Sequence, residues 1–344
     1  MKYAINGRFL IQRVTGVQRF EREIVKALDD CADSDSVCVV VPRDYDKSFK
    51  LHNLKIVETG NISGILWEQT SFYLYLKQNN LIGINLGNVA PLLKPDIVCI
   101  HDVKLVLNPQ WFNWKYVVWS KINYINALKR GKLVLTVSNF SKSEIERVYP
   151  HKKAEIRVID EGWQHIDSIT EDPSILEKHN LSSQGYYFSL YQSIPNKNFK
   201  WILNAAKANP DEQFVVSGWN NKKTNKSEIN LENLKEIKNI TIVGFVTDGE
   251  MKSLLKNCKA FLFPSTYEGF GIPPLEALSV GAKVMVMDIP VMREVFGNSV
   301  QYLQNDNYQI VMQDIDKTAV ENTLQKHSWK NGARSLADTL SRLR

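Results

Sequence analysis

Short apolar runs of four or five residues recur along this chain, and amphipathic helical patterns lie between them. In the first part the runs are Lys2–Ile5, Val37–Val41, Ile97–Ile100, Leu133–Thr136 and Ile156–Ile159. A polar stretch of weak periodicity follows Asp160 and lasts through Gln184. The runs then resume at Tyr187–Leu190, Gln213–Ser217, Ile240–Val243, Ala260–Phe263 and Lys283–Met287. Between the first two, Val17, Phe20, Ile24 and Leu28 recur at helical spacing, with Arg19, Arg22, Glu23 and Lys26 on the other face. Phe112–Lys129, Ser141–Val148, Trp201–Ala208 and Glu250–Asn257 also read as helices. Strands alternating with helices form mostly parallel sheets covered on both faces. Two such series separated by a polar joint predict an α/β chain of two doubly wound, Rossmann-like domains, over 1–165 and 180–327, facing a cleft. Trp329, Leu336, Leu340 and Leu343 mark a closing amphipathic helix over 328–344. Ser138 or Ser141 can cap the helix over 141–148, and Glu144 after Ser141 gives a capping-box pattern.

At 344 residues the chain is comfortable for two domains. With 44% apolar and 23% charged residues it reads as a folded protein. Cys31, Cys38, Cys99 and Cys258 show no zinc-type spacing and no disulfide framework, so a reducing cytoplasm is expected. No run is apolar and long enough to span a bilayer, and residues 1–8 have no signal-peptide core. The net charge of +6 is uneven: Met1–Asp160 holds 23 Lys and Arg against 16 Asp and Glu, and the remainder 20 against 21. The basic half points to an anionic partner, either a membrane surface, which would place the chain at the cytoplasmic face of the membrane, or a lipid diphosphate or nucleic acid, unless the asymmetry is ordinary scatter. No nucleic-acid reading motif accompanies it, so nucleic acid is not an expected partner. Asn220–Asn230 reads as an exposed loop rich in lysine and asparagine.

The segment most informative about chemistry runs from Pro264 to Glu276, Pro-Ser-Thr-Tyr-Glu-Gly-Phe-Gly-Ile-Pro-Pro-Leu-Glu. It follows an apolar strand and opens a helix, with Pro273 and Pro274 suited to the first turn. Backbone amides at such a junction welcome a phosphate. The two carboxylates, Glu268 and Glu276, then suit hydroxyl-rich groups, a sugar and a ribose. Lys197, in a loop after the strand 187–190, is placed to balance a leaving diphosphate. Gly16, at the first strand–loop–helix junction, lets a phosphate or sugar approach the backbone. His101 follows the strand 97–100 and faces the crevice of its sheet. Trp111, Phe112, Trp114, Tyr116 and Trp119, mixed with Lys115 and Lys121, are read first as core packing and second as a membrane interface.

The filled bend resembles the glutamate pair of retaining glycosyltransferases of family 4, which have the GT-B fold. Ser265, Tyr267, Gly269, Phe270, Gly271, Pro274, Leu275, Glu276, Ala277 and Gly281 all stand where that pattern puts them. The stretch from Asn6 to Phe20 is similar to a subgroup that builds bacterial surface polysaccharides, in which mannose donors are frequent. The resemblance implies transfer of a hexose, with GDP-mannose as the expected donor, to a glycan or polyprenyl-diphosphate-linked acceptor in polysaccharide or O-antigen assembly. It implies Glu276 on the ribose, Glu268 on the donor sugar, and the amides of Phe270, Gly271 and Ile272 with Lys197 and Gly16 on the diphosphate. It implies His101 near the anomeric carbon, no cofactor and no metal. The family usually has Arg-Lys where this chain has Asn196-Lys197, so one cation is missing. The alternatives are a catalytically inactive nucleotide-sugar-binding subunit and a nucleotide-sugar epimerase of the same fold. Acceptor recognition is expected in N-terminal loops such as 60–64 and 87–91.

Overall fold

The computed structural model describes residues 2–32, 36–218 and 237–343; the loop expected over 220–230 lies outside these. The first sheet is built from β1 (Tyr3–Asn6), β2 (Val37–Val41), β3 (Lys55–Glu58), β4 (Ile82–Asn85), β5 (Ile97–Cys99), β6 (Leu133–Thr136) and β7 (Glu155–Val158). Their order is β3-β2-β1-β4-β5-β6-β7, and every neighbouring pair is parallel. The second sheet comprises β8 (Tyr186–Leu190), β9 (Gln213–Ser217), β10 (Ile240–Gly244), β11 (Ala260–Phe263), β12 (Val284–Met287) and β13 (Gln301–Leu303). It runs β10-β9-β8-β11-β12-β13, again all parallel. Each sheet therefore winds outward in both directions, reversing between β1 and β4 and between β8 and β11. Ligands of open parallel sheets bind outside the carboxyl ends of the strands at such a reversal.

The chain divides into two compact units: residues 1–162 with 327–344, and residues 163–326. In the first, the helix Trp329–Arg342 packs along the helix Gly16–Asp29. Gly332 permits the approach, since a Cβ there would lie 2.3 Å from the Asp160 carbonyl. Tyr3 Oη donates to the Leu340 carbonyl at 2.6 Å, and Phe20 meets Trp329 edge-on. In the second unit Tyr187, Phe199, Trp201, Ile202, Phe214, Val216, Leu262 and Met285 form the core beside β8. Trp201 is buried, and its indole N–H donates to the Gln304 carbonyl at 2.9 Å. Trp201→Ala removes both contacts and costs about 3–5 kcal/mol.

Several local expectations are corrected. The strands β3, β4 and β13 had no clear apolar run: β4 reads Ile-Gly-Ile-Asn, and β3 is a half-exposed edge, Lys-Ile-Val-Glu. Burial on the parallel sheet, not local preference, makes β4 a strand. The helix expected from Ser141 starts at Asn139, and the cap is Ser138, whose hydroxyl accepts from the Ser141 amide. Glu144 completes no capping box; it pairs with Arg147. The loop over 6–16 contains a 3-10 turn at Gly7–Ile11, where Gly7 lies against Val40 and Val41. The polar stretch after Asp160 forms the 3-10 turn Gln164–Ser168 and the helix Ser174–Lys178 of the second unit. Phe112 packs against the core of the first unit and Trp111 and Trp119 are half-buried, but Trp114 and Tyr116 are exposed, so core packing holds for only part of this group.

Candidate active site

At the reversal of the second sheet, the loops after β8 and β11 meet. The β8 loop ends in the 3-10 turn Pro195–Lys197, closed by Asn198 at φ 49°, a left-handed conformation that asparagine tolerates. Lys197 and Glu268 lie 71 positions apart in sequence, yet Lys197 Nζ donates to Glu268 Oε1 at 2.7 Å. Lys197 Nζ also lies 5.0 Å from the centre of the Phe263 ring. Both side chains of the pair are partly reachable, 16% and 12% exposed. Asn196, by contrast, is fully buried. Its Nδ2 donates to the Tyr267 carbonyl at 2.8 Å and reaches Glu268 Oε1 at 3.4 Å; its own carbonyl accepts from the Thr266 amide at 2.8 Å. Asn196 therefore ties the two loops together and aims Glu268, where an arginine would instead add a cation. Its Oδ1 has no hydrogen-bond partner among the described residues.

The second loop continues through Gly269 and the buried Phe270 to Gly271 at φ +123°. Only glycine adopts that conformation readily, and a Cβ would also press on Met292 Cε at 3.0 Å. The turn starts the helix Ile272–Ser279, whose Pro273 and Pro274 carry no N–H. The amides of Gly271 and Ile272 are thus donors at a positive helix end, the arrangement that binds phosphate. Glu276 sits one turn further on, and its Oε1 lies 2.7 Å from His165 Nε2. His165 was not singled out in the sequence: it lies in a stretch without periodicity, and no local pattern connects it to Glu276. Its almost buried ring fixes the orientation of that carboxylate.

Gly16 and His101 belong to the first unit. Gly16 opens the helix Gly16–Asp29, and nothing within 4 Å would meet a Cβ there, so packing does not explain the glycine. His101 is buried at the carboxyl end of β5, edge-on to Phe20. Its Nε2 donates to the Leu86 carbonyl at 2.8 Å, and its Nδ1 lies 3.7 Å from Glu161 Oε1. Burial alone would lower its pKa, but Cys99 and the Glu161 carboxylate raise it well above the usual histidine value. The Leu86 carbonyl on Nε2 and the Glu161 carboxylate facing Nδ1 hold the His101 ring in place inside its own unit.

The reversal of the first sheet holds a polar cluster that sequence reasoning missed. Asn6 ends β1 and Asn85 ends β4; Asn6 Nδ2 donates to Glu68 Oε2 at 2.9 Å and to Asn85 Oδ1 at 3.0 Å. Arg8 Nε pairs with Glu68 Oε2 at 3.0 Å. Glu21, also buried, packs against Gly87 and has Gln18 as a hydrogen-bond partner at 3.5 Å. Burial pushes its carboxyl up to about 8, outweighing the opposing effects of His101 and Arg8. The residues come from segments spread over as many as 79 positions, and no contiguous motif announces them.

Comparison with known proteins converges on one kind of molecule. Residues 172–335 match the model of the family described as "Glycosyl transferases group 1". The O-antigen chain mannosyltransferase RfbU of Salmonella typhimurium is 26% identical over 85% of this chain and 84% of its own length. The O-antigen chain mannosyltransferase B of Escherichia coli is 29% identical over 60% of this chain and 56% of its own. Among solved structures, Anabaena Alr3699/HepE in complex with UDP and glucose aligns with a TM-score of 0.69 at 17% identity, over 99% of this chain and all of that one. WaaG, a glycosyltransferase involved in lipopolysaccharide biosynthesis, aligns with a TM-score of 0.59 at 14% identity, over 98% and 95% of the two chains. With its two all-parallel α/β units the chain has the GT-B fold, and residues 172–335 are a domain of the group 1 glycosyltransferases.

Proposed function

We propose that this protein is a retaining glycosyltransferase that moves mannose from GDP-mannose to a growing glycan or lipid-linked oligosaccharide in O-antigen or related polysaccharide assembly. The observation that carries the reading is the Lys197–Glu268 pair beside the Gly271 turn, at the reversal of the second sheet. A cation, a helix end and an acid stand together there, as a diphosphate joined to a sugar requires. The O-antigen mannosyltransferases among its relatives support the sugar and the pathway. The neighbour solved with UDP and glucose supports a nucleotide-diphosphate donor and makes UDP-glucose the competing choice.

In this reading Glu276, held by His165, takes the ribose hydroxyls. Glu268 takes hydroxyls of the donor sugar, and Lys197 with the amides of Phe270, Gly271 and Ile272 takes the diphosphate. From the first unit we assign Gly16 to the diphosphate and His101 to the neighbourhood of the anomeric carbon. The C1–O bond to the diphosphate breaks as the acceptor oxygen bonds to C1 on the same face. The leaving phosphate oxygen takes the acceptor's proton, so configuration is retained with no covalent intermediate. No metal or cofactor takes part. The buried Asn196 holds both site loops, which fits a working site better than an inactive binding subunit.

The test is incubation with GDP-mannose and a polyprenyl-diphosphate-linked glycan in the presence of EDTA, with the anomeric configuration of the product read by NMR. An α-mannosyl product formed at an undiminished rate is expected. A β-linked product or dependence on a divalent ion overturns the mechanism. Sugar interconversion without acceptor overturns the function in favour of an epimerase.

A further inference from the structure

The helix Trp114–Arg130 crosses over between β5 and β6, and its inner face is occupied by Val117, Ser120, Asn123, Tyr124, Ala127 and Leu128. A surface helix normally turns polar residues outward. This one does not: Trp114 is 69% exposed, Val118 48%, Ile122 47% and Ile125 41%. Spaced by four, four and three positions, they form one outward stripe. Lys121 and Lys129 fall within the same arc, and Lys115 flanks it with its ammonium 5.7 Å from the Trp114 ring centre. Leu93, 66% exposed, lies beside the helix, where Asn126 and Arg130 both donate to the Leu92 carbonyl.

The charge of the segment specifies what covers this face. Between Asp102 and Glu144 the chain has no acidic residue and seven basic ones, four of them on this helix. Among the described residues no helix is long and apolar enough to cross a membrane, so the segment is not a span. An apolar stripe with a tryptophan at one end and lysines interleaved is the pattern of a helix lying in a bilayer interface. The rings and branched chains enter the headgroup boundary, and the ammonium groups meet anionic lipid. A second copy of the chain fits less well, because symmetric pairing would bring these lysines towards each other with no acid on the helix to meet them.

We infer that the outward face of Trp114–Arg130, with Leu93, docks on an anionic lipid bilayer. The surface stands independently of the proposed reaction. The test is co-flotation of the full-length protein with vesicles of phosphatidylglycerol and phosphatidylethanolamine, against vesicles of phosphatidylcholine. Two sets of variants are compared, Trp114→Ser with Ile122→Ser, and Lys115→Glu with Lys121→Glu and Lys129→Glu. All sites are at the surface, and an unchanged thermal midpoint confirms that each variant folds. Each basic side chain near an anionic surface contributes about fivefold, so the triple charge variant is expected to lose at least about a hundredfold in vesicle affinity. The apolar pair is expected to lose about tenfold. Wild-type binding to phosphatidylcholine as strong as to the anionic vesicles, or no binding to either, overturns the proposal. So does a wild-type dimer in light scattering that Ile122→Lys converts to monomer.

Discussion

Each sheet places an ion pair at its own reversal, but the pairs are built for different ends. In the first unit Arg8 meets Glu68, whose side chain is 1% exposed and is also held by Asn6 and Gln69. In the second unit Lys197 meets Glu268, and both remain partly reachable beside the turn at Gly271. The first pair is a lock whose acceptor positions are filled from within. The second is positioned by the buried Asn196 and keeps an edge turned outward. The same fold position thus serves stability in one unit and, in our reading, ligand chemistry in the other. Burial together with hydrogen-bond saturation separates the two roles better than the presence of charge.

The contrast is sharpest under mutation. Glu268→Gln and Lys197→Ala are expected to lower turnover about 10²–10³-fold while the thermal midpoint stays within a few degrees. Glu68→Ala should do the reverse: it removes the acceptor shared by Asn6, Gln69 and the half-buried Arg8, at a cost of about 1–3 kcal/mol in denaturant unfolding. Equal stability losses at the two sites would erase the distinction.

Glu21, beside the lock, gives a pH signature. Its carboxyl titrates at about 8 in the folded state against 4.5 ordinarily, so the folded state holds a proton that the unfolded chain releases. That contribution to stability is fully present below about 4.5, is lost as the pH rises towards about 8, and stays lost above it. Glu21→Gln should remove this slope, making the protein more stable than wild type above pH 8 by on the order of a few kcal/mol, with little difference in mild acid. Parallel pH profiles for variant and wild type would show that Glu21 is ionised in the fold.

A smaller effect is expected at Gly16. Alanine meets nothing there and favours the first helical turn, so Gly16→Ala should leave the thermal midpoint unchanged or slightly raised. If the open space receives a phosphate or sugar, turnover falls about tenfold or more. Unchanged turnover would return Gly16 to a purely structural role.

What could be read from the sequence followed from contiguity. The strands β2, β6 and β11 are unbroken runs of buried residues, β9 is buried from its second residue on, and each was legible with its bounds. β4 was not, because Gly83 and Asn85 interrupt the run; Gly83 is needed against Leu76, and Asn85 serves the polar cluster. The site loop over 264–276 is one continuous segment, so its glycines, prolines and acids were visible together. Lys197 was found by its place after a strand, but its bond to Glu268 was not, since proximity across 71 residues is a property of the winding. Arg8, Glu21, Glu68 and Asn85 come from four separate segments, and the group 1 model also begins only at residue 172. His165 was missed because its partner Glu276 lies 111 positions away. On the helix Trp114–Arg130 composition was read correctly but orientation was not: aromatics next to lysines fit either face, and only the positions of the buried Asn123 and Tyr124 decide it.

The most direct test of the central claim, that the Lys197–Glu268 site seats a nucleotide-diphosphate sugar, is a thermal-shift titration with GDP, UDP and ADP in EDTA, on wild type and Lys197→Ala. A ligand held at a hundred times its Kd stabilises the folded state by about 2.7 kcal/mol, enough to raise the midpoint by several degrees. The account predicts such a rise for GDP in the wild type and its loss in the variant. A shift of equal size in Lys197→Ala, or no shift with any diphosphate, would contradict it.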